Sequence, residues 1–195
     1  KLLYSKKSCV ILKKNKKSGF AICTDCLAIV HKYFCSDFLY NSKGGLSMIA
    51  IGADHGGYKL KEEIKKYFEE NNIDYEDYGT YSEERTDYPI YAKKVAEAMV
   101  TGNADKGILI CRSGYGMTVV ANKFKGVRAA SVTSVAYAKS AKADDDINLL
   151  TLSGDNTTIK EAIEMINAWL ETEFKGGRYK ERLDMLEKIE NENMK

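Results

Sequence analysis

The chain has 195 residues, 44% of them hydrophobic and 30% charged, which is the ordinary mixture of a globular protein with enough apolar material for a sizeable core. No apolar run is long enough to cross a membrane, so no membrane partner is expected. The net charge of +2 averages two unlike segments: residues 1–47 carry nine lysines against Asp25 and Asp37, and the remainder is net acidic.

The cysteines divide in the same way. Cys9, Cys23, Cys26 and Cys35 lie in the first segment and Cys111 alone in the rest. One cysteine in a body of that size points to a reducing, cytoplasmic setting.

Residues 1–47 show no clear period and no helix caps, and they lack the compact apolar stretch of a secretory signal. The first methionine is Met48, at the start of a good strand. Lys43-Gly44-Gly45, encoded as AAA-GGA-GGA, would spell a purine-rich ribosome-binding site just upstream of it. Residues 1–47 are therefore read as a translated upstream segment, poorly ordered, and the natural protein is expected to be a domain over 48–195. The rival reading is a small zinc module, in which Cys23-x-x-Cys26, His31 and Cys35 supply ligands and the lysines bind nucleic acid. It lacks a second Cys-x-x-Cys pair and is the weaker of the two.

From Met48 onward, short apolar runs alternate with helical stretches. Residues 48–53 read as a strand. Residues 56–71 read as an amphipathic helix, with Leu60, Ile64, Tyr67 and Phe68 on one face and lysines and glutamates elsewhere. A more polar strand follows at 73–78, then a loop over 79–87. Pro89 suits the first turn of a helix running to residue 100. A third strand spans 106–110, with a helix at 113–124. A fourth strand is expected at 128–132, a short helix at 135–143 and a fifth strand at 147–152. A long helix at 157–172 carries Ile159, Ile163, Ile166 and Leu170 on one face. Gly176-Gly177 ends it, and a charged helix occupies 178–193. This alternation predicts an α/β fold with a five-stranded parallel sheet covered on both faces, and a C-terminal helix.

The chemistry concentrates where strands end. In open parallel sheets, ligands bind at the carboxyl edge, at strand-to-helix turns. The third strand ends there on Cys111, followed by Arg112, Ser113, Gly114, Tyr115 and Gly116. Cys111 reads either as a small buried apolar residue or as a thiolate favoured by the following helix N-terminus, acting as nucleophile or general base. In the second case the N–H groups of residues 114–116 would hold an oxyanion. Arg112 would either favour the thiolate or bind a substrate anion. Asp54-His55-Gly56-Gly57 sits at the end of the first strand, and reads equally as a proton-handling pair or as a helix cap beside a solvated histidine. Arg178 and Arg182 stand one helical turn apart and can face one anion, although such spacing more often marks a solvated face. Asp144-Asp145-Asp146 reads as a solvated loop, or as the place of a catalytic acid.

Taken together, IAIGADHGGYKLKEEI, GTYSEERTDYPIYAKKVAEAM, GILICRSGYGM with ANKFKGVRAA, and GGRYKERLDML carry a resemblance. Residues 48–190 resemble the type B ribose-5-phosphate isomerase family and its galactose-6-phosphate isomerase relatives. The resemblance implies a Rossmann-like three-layer α/β/α fold. It also implies a homodimer or dimer of dimers with active sites shared between subunits, and aldose–ketose isomerisation of a sugar phosphate through an enediolate, with neither metal nor nucleotide cofactor. By position, it makes Cys111 the base that moves a proton between C1 and C2, and places Ser113 where the family usually has threonine. Gly114, Tyr115 and Gly116 match the anion-holding turn, and Asp54, His55 and Tyr88 match positions that contact sugar or phosphate. Arg178 and Arg182 match a phosphate clamp.

The chain departs from the family at two places. Arg112 stands where the turn usually begins with glycine. Asp144-Asp145-Asp146-Ile147-Asn148 replaces the usual His-Asn-Asp-x-Asn, so Asp144 stands in for a ring-opening histidine, and Asp145 adds charge beside an anionic substrate. A carboxylate can shuttle that proton if its pKa rises toward neutrality, as Asp145 and Asp146 would favour and a nearby arginine oppose. The expected substrate pair is ribose 5-phosphate and ribulose 5-phosphate. The alternatives are a six-carbon or modified sugar phosphate, or sugar-phosphate binding without catalysis.

Overall fold

A computed structural model describes residues 48–194. Both readings of residues 1–47, including the Cys23, Cys26, His31 and Cys35 zinc module, lie outside the described residues. Along β1 (Ile49–Ala53) every residue is buried, with Ile49, Ile51 and Ala53 joining one core and Ala50 the other. β3 (Lys106–Cys111) and β5 (Leu149–Ser153) repeat the pattern, as near-continuous apolar strands covered on both faces do. With β2 (Tyr75–Asp77) and β4 (Ala129–Ser131) at the edges, the strands form one parallel sheet in the order β2-β1-β3-β5-β4. The edge strands are three residues each, shorter and more polar than the central ones.

The helices cover both faces, so the expected three-layer α/β/α architecture is the one found. On one face lie α1 (Tyr58–Asn71) with Leu60, Ile64 and Phe68, α4 (Val135–Asp145) with Ala138, and α5 (Ile159–Glu171) with Met165, Ile166 and Trp169. The Trp169 indole N–H donates to the Ile147 carbonyl at 3.0 Å, which satisfies its one polar atom inside the core. On the other face lie α2 (Tyr88–Val100) with Ala92, Val95 and Ala96, and α3 (Tyr115–Ala121) with Met117 and Ala121. α6 (Arg178–Asn193) buries none of its residues and meets the body where Glu190 accepts from the Gly126 N–H at 3.1 Å.

Helix starts and stops differ from expectation for identifiable reasons. α5 opens on a capping box in which Thr158 and Glu161 satisfy each other's end groups. α1 begins two residues late because Gly56 and Gly57 form the turn itself: a Cβ on Gly57 would stand 2.4 Å from the Ile110 carbonyl oxygen. α3 is shorter than expected at both ends. Gly114 precedes it at φ +82°, and Asn122 leaves the helix by exchanging two bonds of 2.9 and 2.8 Å with the backbone of Ala129 in β4.

Candidate active site

The strand order fixes where a ligand can enter. From β1 the chain leaves to one face through α1, and from β3 to the other face through α3. The carboxyl ends of these neighbouring strands therefore open a crevice between diverging connections. Asp54 and Cys111 flank it, tied by the Asp54 N–H donating to the Ile110 carbonyl at 3.2 Å.

Cys111 is 5% exposed at the last position of β3. The Gly114 N–H donates to its sulfur at 3.1 Å, and the Gly154 N–H to its carbonyl at 2.8 Å. The Gly114 N–H is thus committed to the sulfur. Among the described residues the N–H groups of Tyr115 and Gly116 make no other bond, so the oxyanion donors expected at 114–116 narrow to these two. Ser113 and Tyr115 are exposed, and the Ser113 hydroxyl has no hydrogen-bond partner among the described residues. Tyr88 reaches the same turn: a Cβ on Gly116 would stand 2.8 Å from its ring, so glycine there makes room for the tyrosine.

Asp54 accepts from the N–H groups of Gly56 and Gly57 at 2.9 and 3.2 Å. It is therefore a turn-forming carboxylate and also a wall of the crevice, so the two readings of this residue are compatible. Burial pushes its carboxyl above the usual range, against those two bonds and the charges of His55 and Arg112. His55 Nδ1 lies 3.0 Å from the Thr86 carbonyl oxygen and 3.3 Å from the Thr86 nitrogen. Both contacts hold the imidazole against the backbone of Thr86 through Nδ1, and the tautomer decides which of them is a hydrogen bond. The Thr86 hydroxyl lies 3.0 Å from that of Tyr91, which ties the loop over 79–87 to α2. Thr86 was not singled out from the sequence, although it lies inside one of the matching stretches.

The Arg112 side chain is exposed. Its stem covers Gly56, where a Cβ would meet Cγ at 2.3 Å, and its Nε donates to Asp155 at 3.0 Å. Ser153 Oγ fixes the Arg112 carbonyl at 2.6 Å. Ser153 and Asp155, at the end of β5, are further residues of this edge that periodicity could not flag. A cleft of about 430 Å³ opens here, lined by His55, Gly56, Lys59, Leu60, Glu83, Arg112, Gly154 and Asp155. Cys111 stands beside this cleft and is not among its walls. Among the described residues no group of three His, Cys, Asp or Glu side chains is placed to hold a metal ion.

The remaining expected residues lie elsewhere. Asp144 and Asp145 end α4 just before β5, whose first residue Leu149 pairs with Gly107, whereas Cys111 pairs with Ser153 at the far end. At a strand rise of about 3.3 Å per residue, the two edges are about 13 Å apart. Asp144 accepts from Lys175 Nζ at 2.6 Å. Asp146 pairs instead with Lys142 and with Arg128, the latter at 3.0 Å. Asp144 and Asp146 are therefore paired with different cations. Arg178 and Arg182 are exposed at the start of α6, with their guanidinium carbons 5.0 and 5.4 Å from the centre of the Tyr179 ring. Arg178 also donates to the Tyr179 hydroxyl at 3.2 Å, and that bond holds the phenol below its usual range. One chain thus carries two groups of candidate residues at opposite edges of its sheet.

The Ribose/Galactose Isomerase family profile matches residues 49–186. The chain belongs to that family. Among its relatives, ribose-5-phosphate isomerase B of Escherichia coli is 39% identical over 145 residues, covering 74% of this chain and 97% of the relative. The ribose-5-P isomerase B of Listeria innocua is 36% identical over the same length, covering 74% and 98%. Among solved structures, the ribose-5-phosphate isomerase B of Clostridium thermocellum superposes with a TM-score of 0.73 at 39% identity, covering 74% of this chain and 98% of that one. The Mycoplasma genitalium enzyme with bound ribulose-5-phosphate superposes at 0.71 and 36% identity, covering 75% and 97%. Family membership makes the chain a sugar-phosphate isomerase of the aldose–ketose type.

Proposed function

We propose that the chain interconverts ribose 5-phosphate and ribulose 5-phosphate, with Cys111 as the proton-transferring base. The observation that carries this reading is the placement of Cys111 at the crevice between β1 and β3, with a backbone N–H directed at its sulfur. The likeness to the ribulose-5-phosphate complex supports the substrate. In the open-chain aldose, the thiolate takes the proton from C2 and electrons move through the C1–C2 bond onto the carbonyl oxygen. The resulting enediolate is held by the N–H groups of Tyr115 and Gly116; the C2 hydroxyl proton passes to O1, and return of the carbon-bound proton to C1 as the C2–O carbonyl forms gives the ketose. Ser113 stands beside this oxygen, and Asp54, His55 and Tyr88 contact the sugar. Arg178 and Arg182 bind the phosphate, with Asp145 beside it, and Asp144 handles the ring-opening proton.

These last four residues lie at the opposite edge from Cys111 of their own chain, so the reading includes a homodimer in which each subunit completes the other's site. The exposed apolar residues Met185 and Ile189 of α6 and Tyr115 and Val119 of α3 are suited to such an interface. The domain is taken to be 48–195 and its setting the cytoplasm. Arg112, at the mouth of the cleft, favours a second reading, a six-carbon or modified sugar phosphate.

Assaying protein that starts at Met48 against five- and six-carbon sugar phosphates tests the reaction. Turnover of ribose 5-phosphate is expected, and binding across the panel with no turnover would overturn it. Cys111→Ala is expected to lower kcat by at least about 10³-fold while leaving the melting curve and sugar-phosphate binding in place. Full activity in that variant would remove Cys111 from the mechanism.

A further inference from the structure

The cationic cluster at the start of α6 is larger than the two arginines. Lys175 Nζ lies 5.1 Å from the centre of the Tyr179 ring, the same ring that Arg178 and Arg182 approach at 5.0 and 5.4 Å. Three positive side chains therefore surround one aromatic ring. Only Lys175 has a carboxylate partner, and among the described residues neither arginine forms an ion pair. The lysine is held from two sides. Its backbone N–H donates to the Ala143 carbonyl at 3.0 Å, and its ammonium donates to Asp144 at 2.6 Å. These bonds tie the segment ahead of α6 to the end of α4. The bond to Asp144 also raises the Lys175 pKa, so the lysine stays charged. A cluster with three cations and one carboxylate carries excess positive charge, which suits an anion with several acceptor oxygens.

We propose that Lys175 is a third phosphate-binding cation beside Arg178 and Arg182, and that it also offsets the charge of Asp144 so that a phosphorylated substrate is accepted next to a carboxylate. The inference rests on the sugar-phosphate reading given above. Removing Lys175 alone leaves Asp144 uncompensated and subtracts one phosphate contact. Removing both members of the pair subtracts the contact but not the balance of charge.

The test compares wild type with K175A, K175R, D144N and the double variant D144N/K175A. Titration calorimetry reads the affinity for inorganic phosphate and for ribose 5-phosphate, and steady-state kinetics reads KM. K175A is expected to weaken phosphate binding by about tenfold or more and to raise KM. K175R is expected to retain most of the affinity, and D144N/K175A to bind phosphate more tightly than K175A. A K175A protein that binds phosphate as wild type does would overturn the role of Lys175 and leave the sugar-phosphate reading intact. So would a double variant that binds as weakly as K175A while both melt lower than wild type, because that is the pattern of a structural tether. A wild-type protein that binds neither phosphate nor ribose 5-phosphate overturns both readings together.

Discussion

Arg112 is a cation one residue from the sulfur whose side chain is paired with a carboxylate. Its stem runs over Gly56, and its guanidinium is engaged by Asp155, which arrives from the end of β5. Sequence reasoning placed the charge correctly and its partner not at all, because no spacing rule connects residues 112 and 155. The pair is solvent-facing, with side-chain exposures of 70% and 46%, and such pairs contribute about 0–1 kcal/mol. Arg112→Gly is therefore expected to move the melting temperature by no more than about 4 °C in differential scanning calorimetry. The same change uncovers the space above Gly56 at the mouth of the cleft. It is expected to shift the ratio of kcat/KM between five- and six-carbon phosphates, and an unchanged ratio would dismiss Arg112 as a selector.

At the scale of elements, the seam between α1 and β2 is where burial of charge decides stability. Lys61 is 0% exposed, with its Nζ 2.7 and 2.6 Å from the two Asp77 carboxylate oxygens. Lys65 and the Gly79 N–H reach the same carboxylate at 2.7 and 2.9 Å. Burial pushes the Asp77 carboxyl up, but the hydrogen bonds from Lys61, Lys65 and Gly79 outweigh it and hold the group below its ordinary value of 3.8. A depressed carboxyl contributes stability that is complete above the unfolded-state value and is lost as pH falls through the lower folded-state value. Asp77→Asn removes the bidentate counter-charge of a buried ammonium, leaving it Glu62 at 3.0 Å, and is expected to cost about 3 kcal/mol in urea unfolding at neutral pH. The gap from wild type should narrow below about pH 4, and a gap that is constant with pH would show that the charge is not the source. The apolar stripe of Leu60, Ile64 and Phe68 was legible at helical spacing, as were all the strands, because apolar periodicity is a local property. Lys61 was not legible: by periodicity it belongs with the solvent-facing charges, and its burial is made tolerable by Asp77, from a different element, together with Glu62 at 3.0 Å.

The whole molecule separates what the order of motifs in the sequence suggests is together. Asp54, His55, Cys111 and Ser113 follow strand carboxyl ends, whereas Asp144, Asp145, Arg178 and Arg182 gather at the amino end of β5 and the start of α6. Which motif follows which was readable from the chain. The edge each one occupies follows from strand direction and helix return, which spacing does not encode. A shared site built by two copies makes a prediction that a site within one chain does not. Cys111→Ala disables the carboxyl edge of a subunit, and Arg178→Ala/Arg182→Ala disables the amino edge, so each homodimer is inactive. When the two variants are dissociated and reassociated together, half of the dimers formed at random are mixed, and each mixed dimer holds one site with both halves intact. Recovery of about a quarter of wild-type activity is expected in the assay of the mixture, provided that sites act independently. Mixed dimers isolated through two different affinity tags should carry about half the wild-type activity per dimer. Tagged mixed dimers with no activity would show that the two edges do not meet across an interface, and the arginines would then have to act elsewhere than on the phosphate of the sugar at Cys111.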